Sequence, residues 1–270
     1  MNLEVPRVLL SSEVKVKLRS LVVGSKAEVC GFILKDGTVF QSRNDSENPE
    51  RSFAISVDEF NRAKQWGEVI AVFHSHLGPQ IEGVTDTDIK EQQLTGLPWG
   101  VLFYFNGYVA GPFWWGYEVP LAPLIGREFV PGVFDCYTLC RDFHKVVFNI
   151  ELPNPPRSGL WWEKGIEVIE PELELNNELY DSIQYSDLEP GDVLIGRALS
   201  KVLNHFAVYL GDGTILHHLA GRLSSRTALG PWKRSLFKCY RAKGKPKMSS
   251  KEMLARILEF DRVIQSLGEC

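Results

Sequence analysis

Two small sets of side chains in this sequence have the types and spacing that chemistry requires. In the first, Cys136 stands where a helix is predicted to begin, and His205 and His217 follow 69 and 81 residues later. A thiolate is a nucleophile, but it needs a base, and the base needs a group to orient it. Asp135 precedes the cysteine and suits a helix N-cap, and the apolar spacing of Tyr137, Leu139, Cys140, Phe143, Val146 and Val147 is helical. A thiol in the first helical turn feels the positive end of the helix dipole, which predicts a lowered pKa. His205 opens a predicted strand, Gly211-Asp212-Gly213 turns it, and Thr214 to His218 returns, so His205 and His217 are expected to face each other. Cys136 would then attack, His205 take its proton, and His217 hold the imidazole, with the Cys136 N–H in an oxyanion hole. The plainer alternative is a buried core cysteine and two strand-surface histidines.

The second set is His74-Ser75-His76, Asp88, Glu28 and Thr85. Two histidines two apart on an extended segment point to the same side. Asp88, from the first turn of the next predicted helix, supplies a third ligand of a type zinc accepts, leaving a fourth position for water. A zinc-bound water ionises near pH 7 and needs a carboxylate to move its proton, the role open to Glu28, while Thr85 can hydrogen-bond a developing oxyanion. Thr-x-x-Asp is equally an ordinary helix cap.

The elements that must hold these groups are legible in the pattern. Helices are predicted from Ser12, from Ser56 (a Ser-x-x-Glu capping box), from Thr85, at Cys136 and from Ser249. The last carries a stripe of Met253, Ile257, Phe260, Ile264 and Leu267. Strand-like runs cover 28–34, 68–73, 99–105, 205–210, 214–218 and 236–240, with a further strand entered at Pro190-Gly191-Asp192. From Asn106 to Gly132 the composition turns to glycine, proline and aromatics, read as a packed crossing between domains. The expected division is 1–108, a crossing at 109–130, 131–245, and an amphipathic C-terminal helix at 246–270. Cys30, Cys140, Cys239 and His144 read as core.

A net charge of -4 argues against nucleic acid as the main partner, and no apolar run is long enough to span a bilayer. The N-terminus shows no secretory signal, and five cysteines without paired spacing fit reduced thiols.

Glu28…His74-Ser75-His76…Thr85-x-x-Asp88 resembles the JAMM (Mov34, MPN) metalloprotease motif over roughly residues 5 to 110. The chain has Leu77 where that family has proline, Thr85 where it has serine, and a loop one residue longer. Phe134-Asp135-Cys136-Tyr137-Thr138-Leu139, Pro190-Gly191-Asp192-Val193, Asn204-His205-Phe206-Ala207-Val208-Tyr209-Leu210-Gly211 and Leu216-His217 resemble the NlpC family of papain-like cysteine peptidases over roughly 124 to 242. The two resemblances imply an α+β chain: an α/β/α domain, then one whose cysteine-bearing helix packs on an antiparallel sheet. They also imply Zn(2+) held by His74, His76 and Asp88, and cleavage of amide bonds in peptidoglycan stem peptides.

That order of domains, joined by Leu124-Ile125-Gly126-Arg127-Glu128-Phe129, resembles the tail assembly protein K family of long-tailed phages similar to lambda. The resemblance implies a virion part at the tail tip, assembled in the host cytoplasm with other tail tip proteins and delivered from outside. Two other functions stay open: an assembly factor with one or both sites inactive, and a bacterial JAMM isopeptidase acting on a ubiquitin-like partner.

Overall fold

The computed structural model describes residues 7–78, 83–116, 119, 121–155, 157 and 160–268. The chain is α+β and divides into two compact units, Met1–Pro120 with Ser266–Cys270, and Leu121–Gln265.

The first unit runs α1 (Ser12–Val22), β1 (Cys30–Leu34), β2 (Val39–Ser42), α2 (Val57–Trp66), β3 (Val69–Leu77), α3 (Asp86–Thr95), β4 (Trp99–Phe105) and β5 (Tyr108–Trp115). The strands form one sheet in the order β2-β1-β3-β4-β5, antiparallel except for the β3–β4 pair, which α3 connects. Alternation of side chains sends Ile33 and Phe73 to the face covered by Val14, Leu18 and Val22 of α1. Phe32 goes to the other face, where its ring meets Phe60 of α2 at 5.5 Å. His74 pairs with Cys30, in line with Phe32, so the ligand-type histidines lie on the α2 side.

Two expectations change in this unit. The strand-like run expected at 68–73 continues to Leu77, so the extended segment that carries His74 and His76 is part of the same strand. The expected crossing at 109–130 begins with β5, which pairs along β4 from Trp99↔Trp115 to Phe105↔Tyr108. Gly-Pro inside Y-V-A-G-P-F-W-W disguised the strand, but an edge strand tolerates proline because one side of it has no ladder partner. Trp114 lies across Gly100, where an added Cβ would come within 2.5 Å of the indole.

The second unit comprises α4 (Cys136–Phe148), α5 (Ile169–Leu175), β6 (Tyr180–Ile183), β7 (Val193–Gly196), β8 (His205–Gly211), β9 (Thr214–His217), β10 (Ser225–Ala228), β11 (Leu236–Ala242) and, as far as Gln265, α6 (Ser250–Gly268). Its sheet is antiparallel throughout, in the order β10-β9-β8-β7-β11-β6. α5, β6 and β10 were not foreseen from the sequence; each is short and weakly patterned.

α4 is buried on nearly every side, packing Leu139, Phe143 and Val147 with Val208 of β8 and with Met253, Ile257 and Phe260 of α6. The C-terminal helix thus packs into this core through Met253, Ile257 and Phe260. Asp261 of α6 accepts the backbone N–H groups of Leu124 (2.5 Å) and Ile125 (3.0 Å). Two polar groups on α4 find partners: Asp142 accepts from Arg127 Nη1 at 2.7 Å, and His144 Nδ1 meets the Cys140 carbonyl at 2.7 Å, while the buried His144 Nε2 has none among the described residues. The Leu267 end of the helical stripe and Cys270 lie outside the residues whose side chains are described.

The β8–β9 hairpin turns at Asp212 (φ 50°) and Gly213 (φ 66°), both left-handed, as a two-residue turn of this type requires. One extra residue on β8, between Tyr209 and Gly211, shifts the register. His217 consequently lies opposite Ala207, on the same face as His205.

Candidate functional site

The cysteine centre is assembled from the start of α4 and the β8–β9 hairpin. Asp135 caps α4 by accepting the Thr138 N–H at 2.8 Å, and Cys136 is the first helical residue. Its N–H has no helical partner four residues back, so it is available to an oxyanion. Arg157 clamps the cap, with Nε at 2.7 Å from Asp135 Oδ2 and Nη2 at 3.1 Å from Oδ1. The same guanidinium lies 4.8 Å from the Tyr137 ring centroid. Nothing in P-N-P-P-R announced this role, because the arginine meets the cap only through the fold.

His205 Nε2 and His217 Nδ1 are hydrogen bonded at 3.0 Å, the facing arrangement predicted for them. His217 Nε2 is in turn 3.1 Å from Thr227 Oγ1 of β10. The indole of Trp232 lies against both imidazoles, at centroid distances of 5.4 and 4.7 Å. Burial pushes the His205 pKa down to about 3 and that of His217 to about 4, so both rings are neutral at pH 7. His205 thus has a neutral ring whose Nε2 is committed to His217, so Nδ1 is the nitrogen at which it would act as a general base. His218, next to His217 in the chain, is buried against Phe129 with neither ring nitrogen hydrogen bonded.

The thiol does not behave as the helix position alone suggests. Cys136 Sγ donates to the Asn204 carbonyl at 3.6 Å, one residue before His205, rather than to the imidazole. Burial, followed by the Asp135 charge, pushes its pKa up to about 12. Desolvation of a buried thiolate outweighs the helix dipole, so the expected lowered pKa is corrected to a raised one. Beside the thiol is a narrow pocket of about 60 Å³ lined by Tyr137, Arg157, Trp161, Trp162, Phe206 and Tyr240.

The first unit brings its ligand-type residues together as well. His74 Nε2 and His76 Nε2 are 3.1 Å apart, and Asp88 Oδ1 and Oδ2 approach them at 3.5 and 3.4 Å. One ligand atom from each of the three lies within 4.8 Å of the others, a convergence that suits one small cation. Asp88 is also the capping-box partner of Thr85, accepting its N–H at 2.7 Å and its hydroxyl at 2.8 Å. The cap and the candidate metal ligand are therefore the same carboxylate. Thr85 Oγ1 is engaged with that carboxylate rather than free for an oxyanion.

Ser75, between the histidines, accepts the Val29 N–H at 2.8 Å and so ties β3 to the head of β1, where Glu28 sits. Burial raises the Glu28 pKa to about 7, against the lowering effect of His76. Burial also lowers His74, whereas in His76 it is outweighed by the hydrogen bond and charge of Asp88, and its pKa is raised. Phe53 stacks on His74 at 4.5 Å. The group opens to a cleft of about 730 Å³ that Glu28, Arg51, His76 and Asp88 help to line.

Comparison with known proteins places these geometries in a lineage. Residues 111–241 match the NlpC/P60 family. The chain is 35% identical over 173 residues to the tail tip assembly protein K of Escherichia phage lambda, covering 64% of this chain and 80% of that one. The chain belongs to the tail tip assembly protein K family. The family's protein from Escherichia phage N15 is 29% identical over 228 residues, 80% of this chain and 88% of its own length. The NlpC/P60 match spans Cys136, His205 and His217 and points to a hydrolase, while the histidine–aspartate group lies N-terminal to the matched residues.

Proposed function

We propose that the chain is a tail tip component of a phage virion, built in the host cytoplasm with other tail tip proteins, that hydrolyses an amide bond of peptidoglycan stem peptides. The observation that carries the chemistry is the His205–His217 hydrogen bond on one hairpin, with Cys136, at the N-terminus of α4, 3.6 Å from the carbonyl of the residue before His205. A substrate entering the pocket draws the thiol from Asn204 toward His205 Nδ1, which takes the proton as Sγ bonds to the scissile carbonyl carbon. The Cys136 N–H donates to the resulting oxyanion. The His205 imidazolium returns the proton to the leaving amine, and water then hydrolyses the thioester with His205 again as base.

The reading includes a zinc ion held by His74, His76 and Asp88, with Glu28 as proton carrier at a pKa near 7. Such an ion supplies a water ionisable at neutral pH. Among the described residues no helix is long and apolar enough to cross a membrane, which suits delivery by a particle.

The buried thiol favours a second reading, an assembly factor whose cysteine centre is closed until the tail is built. Digestion of purified peptidoglycan by the intact protein and by Cys136→Ala, with fragments read by mass spectrometry, separates the two. New peptide ends that vanish in the variant support the endopeptidase. Absence of cleavage by folded, reduced, zinc-supplied protein supports the assembly factor. Cleavage of an isopeptide that a chelator abolishes and Cys136→Ala leaves alone would transfer the activity to the first unit.

A further inference from the structure

We propose that Thr227 is a positioning residue of the cysteine centre: its hydroxyl accepts the Nε2 proton of His217 and thereby fixes the proton arrangement of the whole imidazole pair. This deepens the cysteine endopeptidase reading and rests on it. The hydrogen bonds run in one line, from His205 Nε2 to His217 Nδ1 at 3.0 Å and from His217 Nε2 to Thr227 Oγ1 at 3.1 Å.

Proton counting along that line gives Thr227 its role. When His205 receives the thiol proton on Nδ1, both of its ring nitrogens carry hydrogen. Its Nε2–H must then donate to His217 Nδ1, which has to be unprotonated. The His217 proton is forced onto Nε2, where it needs an acceptor, and among the described residues the hydrogen bond at that atom goes to Thr227. A hydroxyl serves because it both accepts and donates, so it suits the resting pair in either direction and the charged pair in the single direction available. Without it, a largely buried N–H would be left unpaired just when His205 is charged.

The placement is built by the sheet. β10 pairs with β9 so that Ser225 lies opposite His217, and Thr227 is the diagonal neighbour two residues on. Neither residue is near in sequence to the cysteine, and nothing in S-R-T-A marks the threonine.

The test uses full-length protein labelled with ¹⁵N-histidine. Long-range ¹H–¹⁵N spectra report the tautomers of His205 and His217, and the rate of Cys136 alkylation by iodoacetamide, located by peptide mass spectrometry, reports thiol activation. The wild type is expected to show hydrogen on Nε2 in both rings. Thr227→Val and Thr227→Ala are both expected to lose the single His217 tautomer and to slow alkylation about tenfold, the scale of one hydrogen bond. Thr227→Ser is expected to restore both readouts. Wild-type tautomers and rate in either folded hydroxyl-free variant would overturn the proposal, as would a failure of serine to rescue. His205→Ala with an unchanged alkylation rate would refute the cysteine peptidase reading instead, and the tautomer spectra would still decide the role of Thr227.

Discussion

Cys136 Sγ lies 3.6 Å from the carbonyl oxygen of Asn204, the residue immediately before His205. The resting thiol thus contacts the residue before the proposed base and is held neutral by burial. Its pKa rises from 9.0 to about 12, which makes the thiolate fraction at neutral pH about a thousandfold smaller than for an ordinary thiol. Alkylation of Cys136 should therefore be slow at pH 7 and climb steeply between pH 9 and 12. A plateau already reached near pH 7 would show that the helix dipole governs after all. Because the folded pKa is the higher one, the thiol's stabilising contribution is intact below pH 9 and is lost as pH rises through about 12. Cys136→Ala should flatten alkaline unfolding in that window.

The Arg157–Asp135 pair is buried, with side-chain exposures of 7% and 9%. Arg157→Met leaves an unpaired buried carboxylate at the cap of α4 and should cost about 3 kcal/mol, read from chemical denaturation. Asp135→Asn in the Arg157→Met background should recover part of that loss, since the uncompensated charge is gone. Strict additivity of the two changes would show that the pair is not coupled.

His74, His76 and Asp88 should bind one zinc ion per chain, measured by titration with the metal alone and by elemental analysis. Zinc at a hundredfold excess over its Kd should raise the stability of the first unit by about 2.7 kcal/mol. A chelator should remove that gain, and His74→Ala with His76→Ala should abolish it. Equal zinc content in wild type and double variant would dismiss the site.

Glu28 gives a pH signature in metal-free protein. Its folded pKa, raised from 4.5 to about 7 by burial, means that its contribution is complete below pH 4.5 and is lost as pH rises through 7. Glu28→Gln should therefore gain stability relative to wild type as pH climbs from 4.5 to 8 in thermal melts. A constant difference across that range would show that the carboxyl titrates normally.

Local chemistry was legible wherever it depends on neighbours in the chain. Asp135 reads as a cap because it can reach the Thr138 N–H, and Asp212-Gly213 reads as a turn because both positions need left-handed backbone. His74 and His76 fall on one side because strand side chains alternate. The strand β5 escaped because Gly111-Pro112 looks like a break and only the pairing with β4 shows an edge strand.

By itself, then, the sequence determined the cysteine-bearing helix, the histidine hairpin and the convergence-ready H-S-H strand, since caps, turns and alternation are short-range rules. Tertiary structure decided the rest. The one-residue bulge before Gly211 puts His217 rather than His218 on the face of His205, because a single register step turns every side chain to the opposite side. Enclosure of Cys136 reverses the sign of its pKa shift, because desolvation depends on what packs around an atom and not on its place in a helix. Arg157 and Thr227 join the centre only through the fold, from a loop and an edge strand that no spacing rule connects to the nucleophile.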